Sequence, residues 1–438
     1  MLNKWLFTHI DNSALIVFRI IFGALCAIES IGAIFTGWVR NTFIEPQFTF
    51  TFIGFGFLQP LPGNGMLWYY AIMGLFGILV MLGFKYRFSM FMFTLMWAAV
   101  YFMQKSSYNN HYYLLLLLSF LMILLPAHRY ASLDARHNPE IKRISMPQWC
   151  WLLLVLQLFI VYTFAAIAKL YPGWLDATFA SLLMKSKADL WLIGGFLQQD
   201  WIPYVIAYFG IFFDFFIIPL LLWKRTRMFA FVLSLFFHLF NSLVFHIGIF
   251  PYLSLAFILF FFPSETINKK FLRKKPYYRK HELKVPDHKK LLVTFLSVWF
   301  IIQIALPLRH WFFKDDVLWT EEGHRLSWRM MLRAKSGRIA FKIVDKDTKM
   351  IKYIDEQKYL TPKQAAAMAT KPDLIWQFAQ FLEEKFAKEG KDVAVYVGSK
   401  VSVNGGPYYQ FIDPKVDIAA EEWKHFEHHD WILPSPLP

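Results

Sequence analysis

Lys169 closes an apolar stretch that reads Ala165-Ala166-Ile167-Ala168-Lys169-Leu170-Tyr171-Pro172-Gly173-Trp174. A lysine in that setting has two uses. It can snorkel beside a Tyr/Trp belt at a membrane interface, or burial can favour its neutral amine, which then acts as a base. Spacing leaves both open. His111 follows Ser106-Ser107-Tyr108-Asn109-Asn110 at the mouth of another apolar run; the segment can cap a helix, or the imidazole can serve a site. His238 and Asn241 stand three apart and share a helix face, either as interhelical hydrogen-bonding glue or as ligand contacts. Asp214 and Glu29 are acids inside apolar runs, where ionisable groups are costly and usually paired or functional. His246 lies at a tight bend. Lys169, His111, Asn110, Asn241 and His246 all map to the outer half of the apolar layer, which predicts one outward-facing polar pocket. His425-Phe426-Glu427-His428-His429-Asp430 has metal-ligating residue types but lacks the i, i+4 histidines of a zincin helix, so it reads as a solvated tail and no metal site is expected.

The elements that must position these groups follow from composition. Of 438 residues, 57% are hydrophobic and only 18% charged, against about 25% charged in soluble domains. Apolar runs at Ala14–Phe35, Met66–Leu82, Phe88–Met103, Tyr112–Leu125, Trp149–Ala168, Ile202–Trp223, Phe229–Phe245, Ile247–Phe262 and Leu291–Leu306 predict about nine transmembrane helices. The fold class expected is a mainly α, polytopic helical membrane protein. The first run lacks a small-residue cleavage site and reads as a retained helix. Cys26 and Cys150 both fall in apolar segments and offer no disulfide framework.

Up to Leu306, 26 Lys and Arg face 12 Asp and Glu; from Pro307 onward the figures are 20 and 19. The basic excess therefore belongs to short loops between apolar runs, which suits anionic lipid headgroups and orientation and argues against a nucleic-acid partner. Lys85 and Arg87, Arg129 to Arg143, Lys224 to Arg227 and Lys269 to Lys290 occupy every second loop. Those loops read as cytoplasmic, with the N-terminus, and the loops Thr36–Gly65, Gln104–His111 and Lys169–Trp201 as extracytoplasmic.

Two domains are expected, residues 1–306 in the membrane and 307–438 as a small extracytoplasmic α+β unit. In the latter, Arg338–Asp345 and Met350–Ile354 alternate around Lys346-Asp347-Thr348 as a hairpin. Thr361-Pro362 starts a helix, Leu374–Phe386 is amphipathic, and Val393–Val403 with Tyr408–Ile412 flanks Asn404-Gly405-Gly406 as a second hairpin.

Several separated segments resemble, in order, the vitamin K-dependent γ-glutamyl carboxylase family. They are Ser13 to Arg19, Ser107-Tyr108-Asn109-Asn110-His111, Phe159-Ile160-Val161-Tyr162 through Lys169-Leu170 to Trp174, Phe237-His238-Leu239-Phe240-Asn241-Ser242 through Ile247 to Phe250, Leu326-Ser327-Trp328-Arg329-Met330-Met331, and Phe411-Ile412-Asp413-Pro414-Lys415-Val416-Asp417. The resemblance implies an integral-membrane enzyme of a bacterial cytoplasmic membrane that converts protein Glu to γ-carboxyglutamate. CO2 and O2 would be consumed together with a reduced naphthoquinone (vitamin K hydroquinone or menaquinol), which leaves as its epoxide. No side-chain base in water removes a γ-proton of Glu at a useful rate, and oxygenation of the quinol supplies that basicity. By the same resemblance Lys169 is the base and His111 stabilises oxyanion charge, with Asn110 beside it. His238, Asn241 and Asp214 belong to the quinone pocket, and Tyr396, Ser402 and Asn404 to glutamate binding. Partners would be a Glu-containing protein or peptide, membrane lipid and the quinone pool. Lys400 stands where the family usually has Trp, His246 replaces a small polar residue, and the additional C-terminal domain of the animal enzymes has no counterpart in this sequence, which bears on how substrate is recognised. Two other classes fit the residues: a quinol oxygenase without carboxylation, and a haem b protein with His111 and His238 as ligands or a quinone-binding module.

Overall fold

The computed structural model describes residues 2–436. All nine apolar runs are helical: α1 (Ser13–Phe35), α2 (Gly65–Leu82), α3 (Tyr86–Met103), α4 (Asn110–Leu124), α5 (Gln148–Ile167), α6 (Ile202–Leu222), α7 (Arg227–Phe245), α8 (Phe250–Phe257) and α9 (Lys289–Leu308). Fewer than nine qualify as crossings. Among the described residues, six helices are by length and composition long and apolar enough to span a membrane, and seven if Phe250–Phe260 and Ser264–Phe271, bent by 114°, form one broken span. Several of the expected runs are short or interrupted by polar residues. α4 has 15 residues, about 22 Å of helix against a ~30 Å hydrocarbon layer, and α3 carries Arg87, Ser89 and Thr94 within its length.

α1 and α2 approach so closely that side chains are excluded from the seam. A Cβ on Gly23 would lie 2.3 Å from the Met81 backbone nitrogen, and one on Gly77 2.6 Å from that of Ala27. Small residues allow this contact, which supplies packing where lipid gives no hydrophobic drive between helices.

The two ends of the bundle differ. At one end β1 (His9–Asp11) pairs antiparallel with β2 (Ser145–Pro147), and the basic loops join one another. Asp134 accepts from the backbone amides of Lys85 and Tyr86 at 2.7 and 2.9 Å, Arg19 reaches the Ala131 carbonyl at 2.7 Å, and Lys275 meets Asp11 at 2.7 Å. At the other end the loops expected outside meet the C-terminal domain. Lys105 pairs with Asp373 at 2.6 Å, and Tyr171 donates to the Leu332 carbonyl.

That domain is a four-stranded antiparallel sheet in the order β4-β3-β5-β6, with β3 (Lys335–Asp345), β4 (Ile351–Ile354), β5 (Val393–Val403) and β6 (Tyr409–Ile412). Both expected hairpins are present. α10 (Pro362–Met368) begins with a capping box between Thr361 and Gln364. α11 (Pro372–Lys388) buries Leu374, Ile375, Phe378 and Leu382 in the same core as Val393, Val395 and Val397. The membrane and outer cores interlock. Phe50, from the loop before α2, is fully buried in the outer core, and Trp328, from the outer segment, is buried with the membrane core.

Candidate active site

Lys169 lies just past the last turn of α5, where its side chain turns inward against α6. Its Nζ makes a short contact with Asp214 Oδ2 and a longer one, 3.4 Å, with the Ala165 carbonyl. The Trp174 ring centroid lies 5.6 Å from Nζ, and Trp174 is itself fixed by a 3.0 Å bond from its indole to the Ala207 carbonyl. Lys169 is 8% exposed. A snorkelling lysine would extend into solvent; this one is paired inside the bundle.

One step inward, Phe213 adjoins Asp214 on α6 and stacks on Phe237 of α7 at 3.9 Å between centroids. Tyr162, seven residues before Lys169 and so on the same side of α5, hydrogen-bonds its hydroxyl to His238 Nε2 at 2.9 Å. His238 is buried, and its Nδ1 has no hydrogen-bond partner among the described residues. Phe250, which opens α8, contacts both imidazoles, with centroids 4.3 Å from His111 and 5.9 Å from His238. Lys169, Asp214, His238 and His111 are thus joined through Tyr162, Phe213 and Phe250 into one seam of polar groups and rings. A flat aromatic ligand with hydroxyl groups matches that lining: rings supply stacking surface, and a spare imidazole nitrogen supplies a hydrogen-bonding site.

Other expected residues take different places. Asn110 is a tether, donating to the Arg329 carbonyl at 3.0 Å and accepting from the Tyr108 hydroxyl at 2.8 Å; Asn109 is the residue that caps α4. Asn241 is partly exposed one turn beyond His238, whose Nε2 goes to Tyr162 instead. His246 is exposed in the left-handed conformation that ends α7, outside the seam. Glu29 accepts from the Tyr112 hydroxyl at 2.6 Å, between α1 and α4.

The segment His425 to Asp430 is not simply solvated, which corrects the expectation. His428 and His429 both point Nδ1 at Glu322, at 2.7 and 3.1 Å, and His429 is buried beside Trp423. A buried acid in the neighbouring turn, invisible in the local sequence, recruits them.

A cleft of about 800 Å³ separates the bundle mouth from the outer domain. Ala168 and Leu170 line it on either side of Lys169, together with Tyr171, His310, Arg329 and Asn404. The three expected glutamate-binding residues do not share this cleft. Asn404 lies on its wall, in a left-handed turn held by Ala334. Ser402 is buried and gives its hydroxyl to the Gly406 carbonyl at 2.6 Å. Tyr396, eight positions before Asn404 along β5, is about 26 Å away by strand rise and packs under Lys342. Arg329, passed over in the sequence, faces the cleft with its Nε unpartnered among the described residues and its Nη1 3.3 Å from His310 Nε2. Burial, with Arg333 nearby, holds this guanidinium down at about 10. Its signal was an arginine inside the segment Leu326–Met331; Tyr162, likewise, lay in a segment noted only for its resemblance.

Two family models match the chain: HTTM domain over residues 7–265, and vitamin K-dependent gamma-carboxylase, lumenal domain, over residues 288–437. The chain belongs to the vitamin K-dependent γ-carboxylase family. No solved structure matches it. Membership makes this chain a membrane protein of the γ-carboxylase enzyme type, with the second matched region, named for a lumenal domain, holding the sheet and α11.

Proposed function

We propose that the chain is a γ-glutamyl carboxylase that converts protein Glu to γ-carboxyglutamate with CO2 and O2, coupled to epoxidation of a reduced naphthoquinone, in a bacterial cytoplasmic membrane with the sheet domain outside. The observation that carries this reading is the buried Lys169–Asp214 pair, set between the ring-lined seam and the residues that line the outer cleft.

The quinol, when bound, supplies on oxygenation a base stronger than any side chain. The chain's own residues have smaller duties. Lys169 takes the hydroxyl proton of the quinol as a general base. Lys169 is the only donor to the Asp214 carboxylate among the described residues, so this pair accepts a proton without breaking other bonds, and Asp214 holds the resulting ammonium. His111 and the free Nδ1 of His238 orient ring oxygens in a water-poor seam. Phe213, Phe237 and Phe250 give the quinone its stacking surface. In the cleft Arg329 and Asn404 receive the glutamyl side chain, since a guanidinium with no acidic partner among the described residues suits a carboxylate. Tyr396 and Ser402 act, on this reading, through the sheet and the turn that carry Asn404.

Incorporation of labelled CO2 into a Glu-containing peptide, with reduced naphthoquinone and O2, tests the proposal, with epoxide measured in the same reaction. Both products are expected. Epoxide without incorporation would replace the reading with quinol oxygenation alone, and absence of both would overturn it.

A further inference from the structure

A second cavity, of about 310 Å³, lies between the outer domain and the bundle mouth, and Phe313 alone lines both it and the larger cleft. Lys105, Arg309, Arg325, Glu321, Glu322 and Asp373 are among its walls. The three acids are already engaged. Asp373 takes Lys105 at 2.6 Å and Arg325 at 2.7 Å, both through Oδ2. Glu321 takes Arg333 and Lys335 through Oε1, and Glu322 takes His428 and His429.

Two groups are left over. Arg309 has no carboxylate partner among the described residues; its guanidinium donates to the Arg325 carbonyl. Asp373 Oδ1 is buried and has no hydrogen-bond partner among the described residues. A half-buried cation without counter-charge and a buried carboxylate oxygen without a donor are each costly. A plain anion would satisfy the first and be repelled by the second. A small oxyanion that also carries one O–H satisfies both.

We propose that this cavity binds hydrogencarbonate, with Arg309 matching its charge and Asp373 Oδ1 accepting from its hydroxyl, directly or through water in a space of this size. The oxyanion site follows from the side chains. The choice of hydrogencarbonate over hydrogenphosphate, which offers the same chemistry, rests on the carboxylase reading, in which CO2 is consumed. Hydrogencarbonate exchanges with CO2 by taking up a proton and releasing water (HCO3⁻ + H⁺ ⇌ CO2 + H2O), so an ion held here would be a reservoir of the consumed CO2 beside the cleft.

The test uses the full-length chain in detergent and 13C-labelled hydrogencarbonate in mildly alkaline buffer, with no quinol or peptide present. Saturable broadening of the 13C line is expected. Arg309→Gln should weaken binding at least about tenfold, the loss of a charge-assisted bond, and Arg309→Lys should weaken it less. Acetate, with the same charge and no O–H, should compete at least about tenfold more weakly than unlabelled hydrogencarbonate. Absence of saturable binding, or acetate competing equally well, would overturn the proposal; hydrogenphosphate competing more strongly than hydrogencarbonate would overturn the ligand assigned. If Arg309→Gln does not fold, the competition series on the unmodified chain decides alone. The readout is independent of quinol oxidation, so it fails or succeeds separately from the carboxylase reading.

Discussion

Two buried lysine–aspartate pairs sit at opposite ends of the bundle and differ in what surrounds them. Lys275–Asp11, among the basic loops, is fully buried on both sides, and its carboxylate is saturated. Oδ2 accepts from Lys275 and from the Tyr278 amide at 2.7 and 2.9 Å, and Oδ1 accepts from the Ser13 amide at 2.8 Å. Lys169–Asp214, at the outer end, has among the described residues no donor to its acid besides the lysine. The same two residue types therefore build a clamp in one place and leave proton-transfer capacity in the other. What separates them is hydrogen-bond saturation: a carboxylate holding three donors is stabilised as an anion in one geometry, whereas one held by a single donor can change partner.

The comparison breaks most sharply at the lysines. Lys169→Ala should reduce both epoxide formation and CO2 incorporation about 10²–10⁴-fold, the contribution of a positioned general base, while the protein still folds and binds quinone. A small amine that enters the cavity should restore part of the rate. Near-normal epoxide formation in this variant would remove Lys169 from catalysis and shift the role to His111 or His238. Both changes orphan a buried carboxylate and so both should lower stability; Lys275→Met should differ in leaving the chemistry intact. It leaves Asp11 buried without its counter-ion, at a cost of about 3–5 kcal/mol, so thermal unfolding in detergent should move down while activity per folded molecule holds. If Lys275→Met instead abolished turnover at unchanged stability, saturation would not distinguish a clamp from a site.

Much of this arrangement is legible in the sequence, and the parts that are not share a cause. The alternation on either side of Lys346-Asp347-Thr348 and the Thr361-Pro362 start specify their elements locally, and both elements form. The basic loops also identify the end of the bundle at which they meet. Lys169 stood out because a charge at the end of an apolar run needs an explanation. Asp214 stood out for the same reason, as an acid within such a run, but their pairing did not, since Asp214 reaches Lys169 only through the rotation of α6 against α5, which apolar composition leaves undetermined. Tyr162 gains a role only when α7 brings His238 to it, 76 residues later. Arg329, His428 and His429 are read from long-range partners for the same reason. The insertion of Phe48 and Phe50 beneath α11, with Phe48 4.7 Å from Phe381, is a contact between segments more than 300 residues apart and has no local signature.

The outer junction offers an intermediate case. Asp373 is held at about 2: burial pushes it up, and Arg325 and Lys105 outweigh the burial. The folded chain thus binds this proton less tightly than the unfolded chain. The stabilisation is whole above about pH 4 and is lost as the pH falls toward 2. A shift of roughly two units corresponds to about 2–3 kcal/mol, so Asp373→Asn should lower the unfolding temperature at neutral pH and flatten its decline between those limits. An unchanged acid limb would show that Asp373 does not couple the outer domain to Lys105.

The smallest expected effect lies beside the unsaturated pair. Tyr162→Phe removes the hydroxyl from His238 Nε2 and leaves that nitrogen, like Nδ1, without a protein partner in a buried setting. The ring is retained, so the packing against Phe213 survives, and the loss is that of one hydrogen bond, about 1 kcal/mol. If His238 meets the quinol, its orientation loosens, and the KM for quinol should rise about fivefold with the KM for peptide unchanged. A purely packing role for the Tyr162–His238 pair would lower the unfolding temperature and leave both KM values as they were. A rise in the peptide KM alone would place His238 with the outer cleft, and the seam would then have to be redrawn as an extension of the substrate site.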